Sequence, residues 1–164
     1  MANLSQKETL LLQDQKKHEE MCIKKYNNYA SQAKDPQLKQ LFTNLAQQEQ
    51  KHLDTINQIM SGQTPNMNQQ QQADQTQQGQ QNMANQNMQN QALGQSGLTN
   101  QCDANLCNDM LMTEKYVSGT YDTAIFEFKD ANIRQVLNHI QKEEQQHGEN
   151  IFNYMQSKGM YNPQ

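Results

Sequence analysis

Two short stretches of the chain pair a glutamate with a histidine three residues later. The first pair is Glu49 and His52, and the second is Glu144 and His147. On an α-helix, residues three apart lie on the same face about one turn apart. A carboxylate and an imidazole with this spacing can reach the same point in a protein interior, where both are ligands for divalent transition metals.

The two stretches belong to an internal repeat with a displacement of 95 residues. The same displacement places Glu19 on Glu114 and Tyr26 on Tyr121. Further matched pairs are Asp14 with Asp109, Asp35 with Asp130, Leu38 with Ile133, Leu45 with Ile140, Ile56 with Ile151 and Met60 with Met155. The interval from the isolated glutamate to the Glu-x-x-His pair is therefore the same in both halves, which indicates a duplicated helical hairpin.

Together the two halves contain the side chains of a dinuclear metal site. The predicted ligands are Glu19, Glu49, His52, Glu114, Glu144 and His147. Ferritin-like bundles use this set: one Glu from each of two helices and Glu-x-x-His from each of the other two. Four carboxylates neutralise and bridge two divalent ions, and two imidazoles suit iron, manganese or zinc. Four buried carboxylates without metal repel one another and are costly to desolvate, so the six residues either bind metal or are less buried than their positions indicate. We expect two divalent ions, iron or manganese.

Capping residues predict where the first two helices begin and end. Ser5 to Glu8 form a capping box, so the first helix should begin at Ser5. Asp35-Pro36 ends this helix and caps the second, and Ser61-Gly62 stops the second.

The same signals recur in the second half of the chain. The third helix should begin between residues 99 and 103, Asp130 should cap the fourth, and the fourth should end at Gly159. These elements predict an all-α fold, a ferritin-like antiparallel four-helix bundle made of two repeated hairpins. Hairpins 1–60 and 101–164 would form one bundle domain, joined by a long crossover at 61–100.

The segment 61–100 differs in kind from the rest. About half of its residues are Gln or Asn, and Asp74 is its only charge. Such a segment cannot bury an apolar face, which predicts a disordered or weakly structured linker. The alternative is an adhesive tract, because Gln/Asn-rich segments form ladders with neighbouring chains.

Bulk properties exclude several classes of protein. The net charge is −4 with no basic cluster, so nucleic acid is not an expected partner. We find no apolar run long enough to span a membrane and no signal-peptide core at the N-terminus, which predicts synthesis in the cytoplasm. Three cysteines, Cys22, Cys102 and Cys107, have the spacing of neither a disulfide framework nor a zinc site.

Other side chains near the predicted ligands leave alternatives open. Tyr26 and Tyr121 follow Glu19 and Glu114 by two helical turns, so they either donate a hydrogen bond to a ligand carboxylate of the facing helix or simply pack in the core. His18 and His139 have no counterpart in the repeat, and we expect both to be exposed.

Several runs of residues carry a family resemblance. In the second half they are Asn108 to Leu111, Glu114 to Tyr116, Tyr121 to Ala124, Arg134 to Leu137 and Asn153 to Tyr161; in the first half they are Lys25-Tyr26, Asp35 to Lys39, Phe42 and Gln48 to Met60. In these runs the chain resembles the spore coat F family of endospore-forming bacteria, over about residues 5–60 and 100–162. The resemblance implies a ferritin-like bundle in the protein shell of the spore, with other coat proteins or further copies of the chain as partners.

The first hairpin also looks like rubrerythrin, another ferritin-like protein. There a helix carries Glu, Tyr seven residues later and Ala four after that, as Glu19, Tyr26 and Ala30 do here. The chain differs from rubrerythrin in two features, and both differences argue against a peroxidase function. The chain has no Cys-x-x-Cys pair for a rubredoxin-type iron site, and Leu111 stands one turn before Glu114, where that family has an extra carboxylate.

Two compatible functions therefore follow from the sequence. The first is a structural protein of the spore coat with a dinuclear metal site. The second is a di-iron or di-manganese oxidoreductase, an oxidase or peroxide scavenger of the rubrerythrin-like type. Metal storage ranks below both, because no cage-forming surface is evident.

Overall fold

The structure, a computed structural model, describes residues 4–65 and 97–161. These residues form four α-helices and no strand: α1 (Gln6–Gln32), α2 (Pro36–Met60), α3 (Gly97–Glu127) and α4 (Ala131–Ser157). Helices α1 and α2 pack as one hairpin and α3 and α4 as another, and the hairpins meet through α1 with α3 and α2 with α4. The predicted all-α four-helix bundle of two hairpins is therefore confirmed.

The helix boundaries follow from local capping chemistry. Ser5 and Glu8 form the predicted capping box. Asp35 accepts a hydrogen bond from the Gln37 N–H at the start of α2, and Asp130 caps α4 in the same way. Helix α3 begins at Gly97, slightly before the predicted start, and α4 ends at Ser157, two residues before Gly159.

Apolar residues recur along one side of each helix, and these apolar stripes face inward and meet in one core. The largest fully buried side chains include two tyrosines, two phenylalanines and a series of aliphatic residues: Tyr26, Tyr121, Phe42, Phe128, Leu12, Leu38, Leu45, Ile56, Ile59, Met110, Ile133 and Leu137. The two tyrosines are the only polar members of this group, and their hydroxyls lie deep inside the bundle.

An acidic residue near the start of α1 and one near the start of α3 hold the two hairpins together. Asp103 is 2 % exposed and accepts hydrogen bonds from the backbone N–H groups of Lys34 and Asp35, each at 2.9 Å. Glu8 accepts one from the backbone N–H of Lys129 at 2.8 Å. Residues 8 and 103 are 95 positions apart, as are residues 34 and 129, so each hairpin fixes the turn of the other through equivalent contacts.

The predicted linker 61–100 lies largely outside the described residues, and the proposed domain boundaries stay a prediction. Among the described residues, none of the helices combines the length and the apolar content of a membrane-spanning segment. The three cysteines are unpaired; Cys22 and Cys107 are buried and Cys102 is exposed.

Candidate metal centre

The structure brings all six predicted ligands together in the bundle interior. Helices α1 and α3 each contribute one glutamate, while α2 and α4 each contribute Glu-x-x-His. None of the six is more than 3 % exposed: Glu19, Glu49, His52, Glu114, Glu144 and His147. The inward positions follow from the apolar stripes, because each ligand replaces an apolar residue in a stripe that faces the core.

The six side chains form two overlapping groups of four. One group contains Glu19, Glu49, His52 and Glu144, and the other contains Glu49, Glu114, Glu144 and His147. Within each group, one ligand atom from every residue lies within 4.8 Å of the others. Glu49 and Glu144 belong to both groups, so these two carboxylates lie between the two positions.

Both histidines turn Nδ1 toward the carboxylates. His52 Nδ1 lies 2.9 Å from a Glu144 oxygen and 3.2 Å from a Glu49 oxygen. His147 Nδ1 lies 3.1 Å from the other Glu49 oxygen. The two imidazole rings are stacked, with centroids 5.5 Å apart and an interplanar angle of 16°.

Two buried tyrosines contact the glutamates across the bundle. The hydroxyl of Tyr26 on α1 donates a hydrogen bond to Glu114 on α3, and the hydroxyl of Tyr121 on α3 donates one to Glu19 on α1. The two contacts are related by the repeat. Each tyrosine holds one carboxylate oxygen and leaves the second oxygen directed into the cluster.

The crowding of like charges shifts the protonation of the cluster. Burial raises the pKa of Glu19 to about 7. Burial and the neighbouring carboxylates raise the pKa of Glu144 well above its usual range. Burial opposes ionisation of Glu49 as well, but the two histidines outweigh it and lower its pKa. Burial likewise opposes protonation of His52 and His147, but the surrounding carboxylates outweigh it and raise the pKa of both. Protons therefore offset part of the negative charge of the cluster.

The donor set fits a pair of divalent cations. Among the described residues, three buried oxygens of the cluster have no hydrogen-bond partner, namely Glu19 Oε2, Glu114 Oε2 and Glu144 Oε2. Such atoms are costly to bury unless a ligand satisfies them. Oxygen and imidazole donors are the ligands that iron and manganese accept. The six residues could thus hold two ions.

Comparison with protein families finds a match for most of the second hairpin. Residues 102–164 match the Coat F domain. This range contains most of α3 and all of α4, and with them Glu114, Glu144 and His147. The resemblance predicted for the second half is thereby confirmed, while the relation to ferritin-like proteins stays a prediction. No curated protein and no solved structure gives a significant match.

The region that matches the Coat F domain also contains two site residues that the sequence analysis missed. Glu143 lies 2.9 Å from His52 Nε2, on the side of the ring away from the cluster. His139 Nε2 lies 3.5 Å from the same Glu143 oxygen. The expectation that His139 is exposed was wrong, since its side chain is only 18 % exposed. The spacing of four residues between His139 and Glu143 was the signal available, but neither residue has a like counterpart in the repeat.

Other predictions about neighbouring residues had mixed outcomes. His18 is partly buried rather than exposed, and its ring packs edge-on against Tyr116 of the Coat F domain, with centroids 5.4 Å apart. Asp109, the counterpart of Asp14 in the repeat, lies outside the cluster and accepts hydrogen bonds from Tyr29 and Lys25. Cys22 is buried one turn after Glu19, and burial together with the four carboxylates raises the pKa of its thiol well above its usual range.

Proposed function

We propose that this chain is a structural protein of the spore coat, with a ferritin-like bundle that holds two divalent metal ions. The coat assignment is supported by the Coat F domain at residues 102–164. The bundle assignment is supported by four helices arranged as two repeated hairpins. The first hairpin completes the bundle and provides half of the ligand set.

The observation that carries the metal proposal is the sharing of Glu49 and Glu144 between two groups of four ligands. A site for one ion needs no shared carboxylates. Two ions a few ångströms apart repel each other, and carboxylates that bridge them offset this repulsion. The terminal ligands would be Glu19 and His52 for one ion and Glu114 and His147 for the other.

Metal analysis of the native protein tests this proposal. We expect two equivalents of iron or manganese per chain, and we expect the Glu144→Ala variant to retain less than one. The control is Glu149→Ala, which removes an exposed carboxylate from the same helix. A metal content that Glu144→Ala leaves unchanged would contradict the assignment.

The coat role is tested separately by location. We expect fractionated spores to contain the chain in the coat layer, bound to other coat proteins or to further copies of itself. Exposed side chains available for such contacts include Tyr116, which is 63 % exposed. Recovery of the chain only from the soluble spore core would contradict the coat role without affecting the metal proposal.

A second candidate function is a di-iron or di-manganese oxidoreductase. It is favoured by the buried tyrosines, because Tyr26 and Tyr121 hold Glu114 and Glu19 in fixed orientations. Redox-active ions in this site would supply electrons for the reduction of oxygen or peroxide. The protein would orient the ligands and exclude bulk water.

Oxygen and peroxide uptake by the Fe(II)-loaded protein tests this second function. We expect uptake that depends on two metal equivalents per chain and that is abolished in Glu144→Ala. If the Fe(II)-loaded protein consumes neither oxygen nor peroxide, the oxidoreductase function is contradicted and the structural role is the only proposed function that is left.

A further inference from the structure

The two halves of the candidate metal centre differ at one contact. In both halves a histidine turns Nδ1 toward the carboxylates and Nε2 away from them. His52 Nε2 lies 2.9 Å from Glu143, a carboxylate on the facing helix α4 whose side chain is 20 % exposed. The imidazole of His52 therefore has a charged partner on its outer side.

The corresponding nitrogen in the other half has no such partner. His147 is 1 % exposed, and its Nε2 has no hydrogen-bond partner among the described residues. The residue 95 positions before Glu143 is Gln48, which is neutral and lies on α2 one turn before His52. The carboxylate that contacts His52 thus has a neutral amide as its counterpart in the repeat, and in the described part of the chain no carboxylate contacts Nε2 of His147.

We propose that Glu143 is a positioning residue that makes the two metal positions unequal, so that the position bounded by Glu19 and His52 fills first and more tightly. This inference rests on the proposed metal site. It concerns only the order in which the two positions bind metal and the affinity of each.

The physical reason lies in the second nitrogen of a ligating imidazole. When Nδ1 binds a metal ion, Nε2 carries the ring proton and donates it to whatever acceptor lies behind the ring. A carboxylate in that place fixes the tautomer and the ring orientation, and it increases the electron density at the ligating nitrogen. His52 has this arrangement and His147 does not. Loss of such a partner typically weakens metal affinity 10–100-fold.

Calorimetric titration of the metal-free protein with Co(II) tests the inference. We expect two binding steps, of which the tighter step disappears in His52→Ala and the weaker in His147→Ala. Glu143→Gln replaces the carboxylate behind His52 with an amide, so the tighter step should weaken about 10–100-fold with little change in the weaker one. Gln48→Glu introduces a carboxylate at the position equivalent to Glu143 in the repeat, so the weaker step should tighten and the two steps should become similar.

Glu20→Gln is the matched control, because Glu20, like Glu143, is adjacent in sequence to a predicted glutamate ligand, but its side chain is exposed. This variant should leave both steps unchanged. Helix content and the unfolding midpoint of each variant are checked by circular dichroism, and Gln48→Glu, which adds an interaction, decides the matter if Glu143→Gln does not fold.

The outcomes separate the inference from the function on which it rests. Two equal steps in the unmodified protein would overturn the inference, and so would Glu143→Gln and Gln48→Glu variants that bind Co(II) as the unmodified protein does. Each of these results would leave the two-metal site standing. Failure of the unmodified protein to bind Co(II) would instead remove the proposed metal site and, with it, the inference.

Discussion

Tyr26 in the first hairpin donates its hydroxyl hydrogen to Glu114 in the second, 88 residues further along the chain. Both side chains are almost completely buried, at 0 % and 2 % exposure. The equivalent bond from Tyr121 to Glu19 runs in the opposite direction across the bundle. Two of the four acidic side chains of the cluster are therefore oriented by the hairpin that does not contain them.

Removing one of these hydroxyls should destabilise the metal-free protein. In Tyr26→Phe the Glu114 oxygen loses its donor while remaining buried, and a buried polar group without a partner costs about 1–3 kcal/mol. We expect the free energy of unfolding in urea to fall by this amount in the presence of a chelator. Tyr116→Phe, at an exposed position, is the control and should change it by less than about 0.5 kcal/mol. Equal stability of the two variants would show that the buried bond contributes nothing.

The stability of the metal-free protein should fall as the pH rises from about 5 to 7. Burial raises the pKa of Glu19 from 4.5 to about 7, so in this range the folded chain keeps a proton that the unfolded chain has released. Stability then decreases with pH, by up to about 1.4 kcal/mol per pH unit for each retained proton. The raised pKa values of His52 and His147 extend the decline above their ordinary value of 6.5. Urea unfolding at successive pH values measures the slope.

At acid pH, Glu49 opposes the rise in stability that Glu19 and the two histidines produce as the pH falls. Its pKa is lowered because His147 and His52 outweigh its burial, so its contribution is present above 4.5 and is lost as the pH falls below that value. Metal-loaded protein should behave in the opposite way to the metal-free protein between pH 5 and 7, because the ligands must lose their protons to bind the ions. A metal-free protein that gains stability over this range would contradict the protonation pattern described above.

Loading with metal should raise the unfolding temperature. A ligand that binds only the folded state at 100 times its Kd adds about 2.7 kcal/mol of stability. We expect Mn(II) or Fe(II) to raise the midpoint measured by calorimetry, and we expect this rise to vanish in Glu144→Ala, because Glu144 belongs to both groups of ligands. The exposed-site variant Glu149→Ala should respond as the unmodified protein does. Identical midpoints with and without metal would contradict the proposed site.

Asp103→Ala should destabilise the bundle even though this residue lies outside the metal cluster. The substitution leaves the backbone N–H groups of Lys34 and Asp35 without their acceptor in the turn of the first hairpin. We expect a loss of about 1–3 kcal/mol in urea unfolding. The control is Asp122→Ala, an exposed position on the same helix. A loss no larger than that of the control would show that the turn does not depend on Asp103.

Local chemistry explains why the helices could be predicted. Ser5, Asp35 and Asp130 act as helix caps through contacts within three residues, and the apolar stripes repeat with the period of an α-helix. Glu19 and Glu49 lie within those stripes, and both side chains are therefore directed inward. The repeat then indicated two hairpins with equivalent faces, which is the observed pairing of helices.

The sequence by itself thus determined the four helices, their two-fold repetition and the set of six inward side chains. Only the tertiary structure decided which residues meet across the bundle: Glu143 with His52, Tyr26 with Glu114, and Asp103 with the turn at Lys34. Glu143 has a glutamine as its counterpart, so the repeat gave no indication of its contact with His52. Caps and stripes depend on neighbours within a few residues, whereas these contacts depend on the relative rotation and offset of helices that are far apart in the chain. Those two quantities are set by the packing of the whole core.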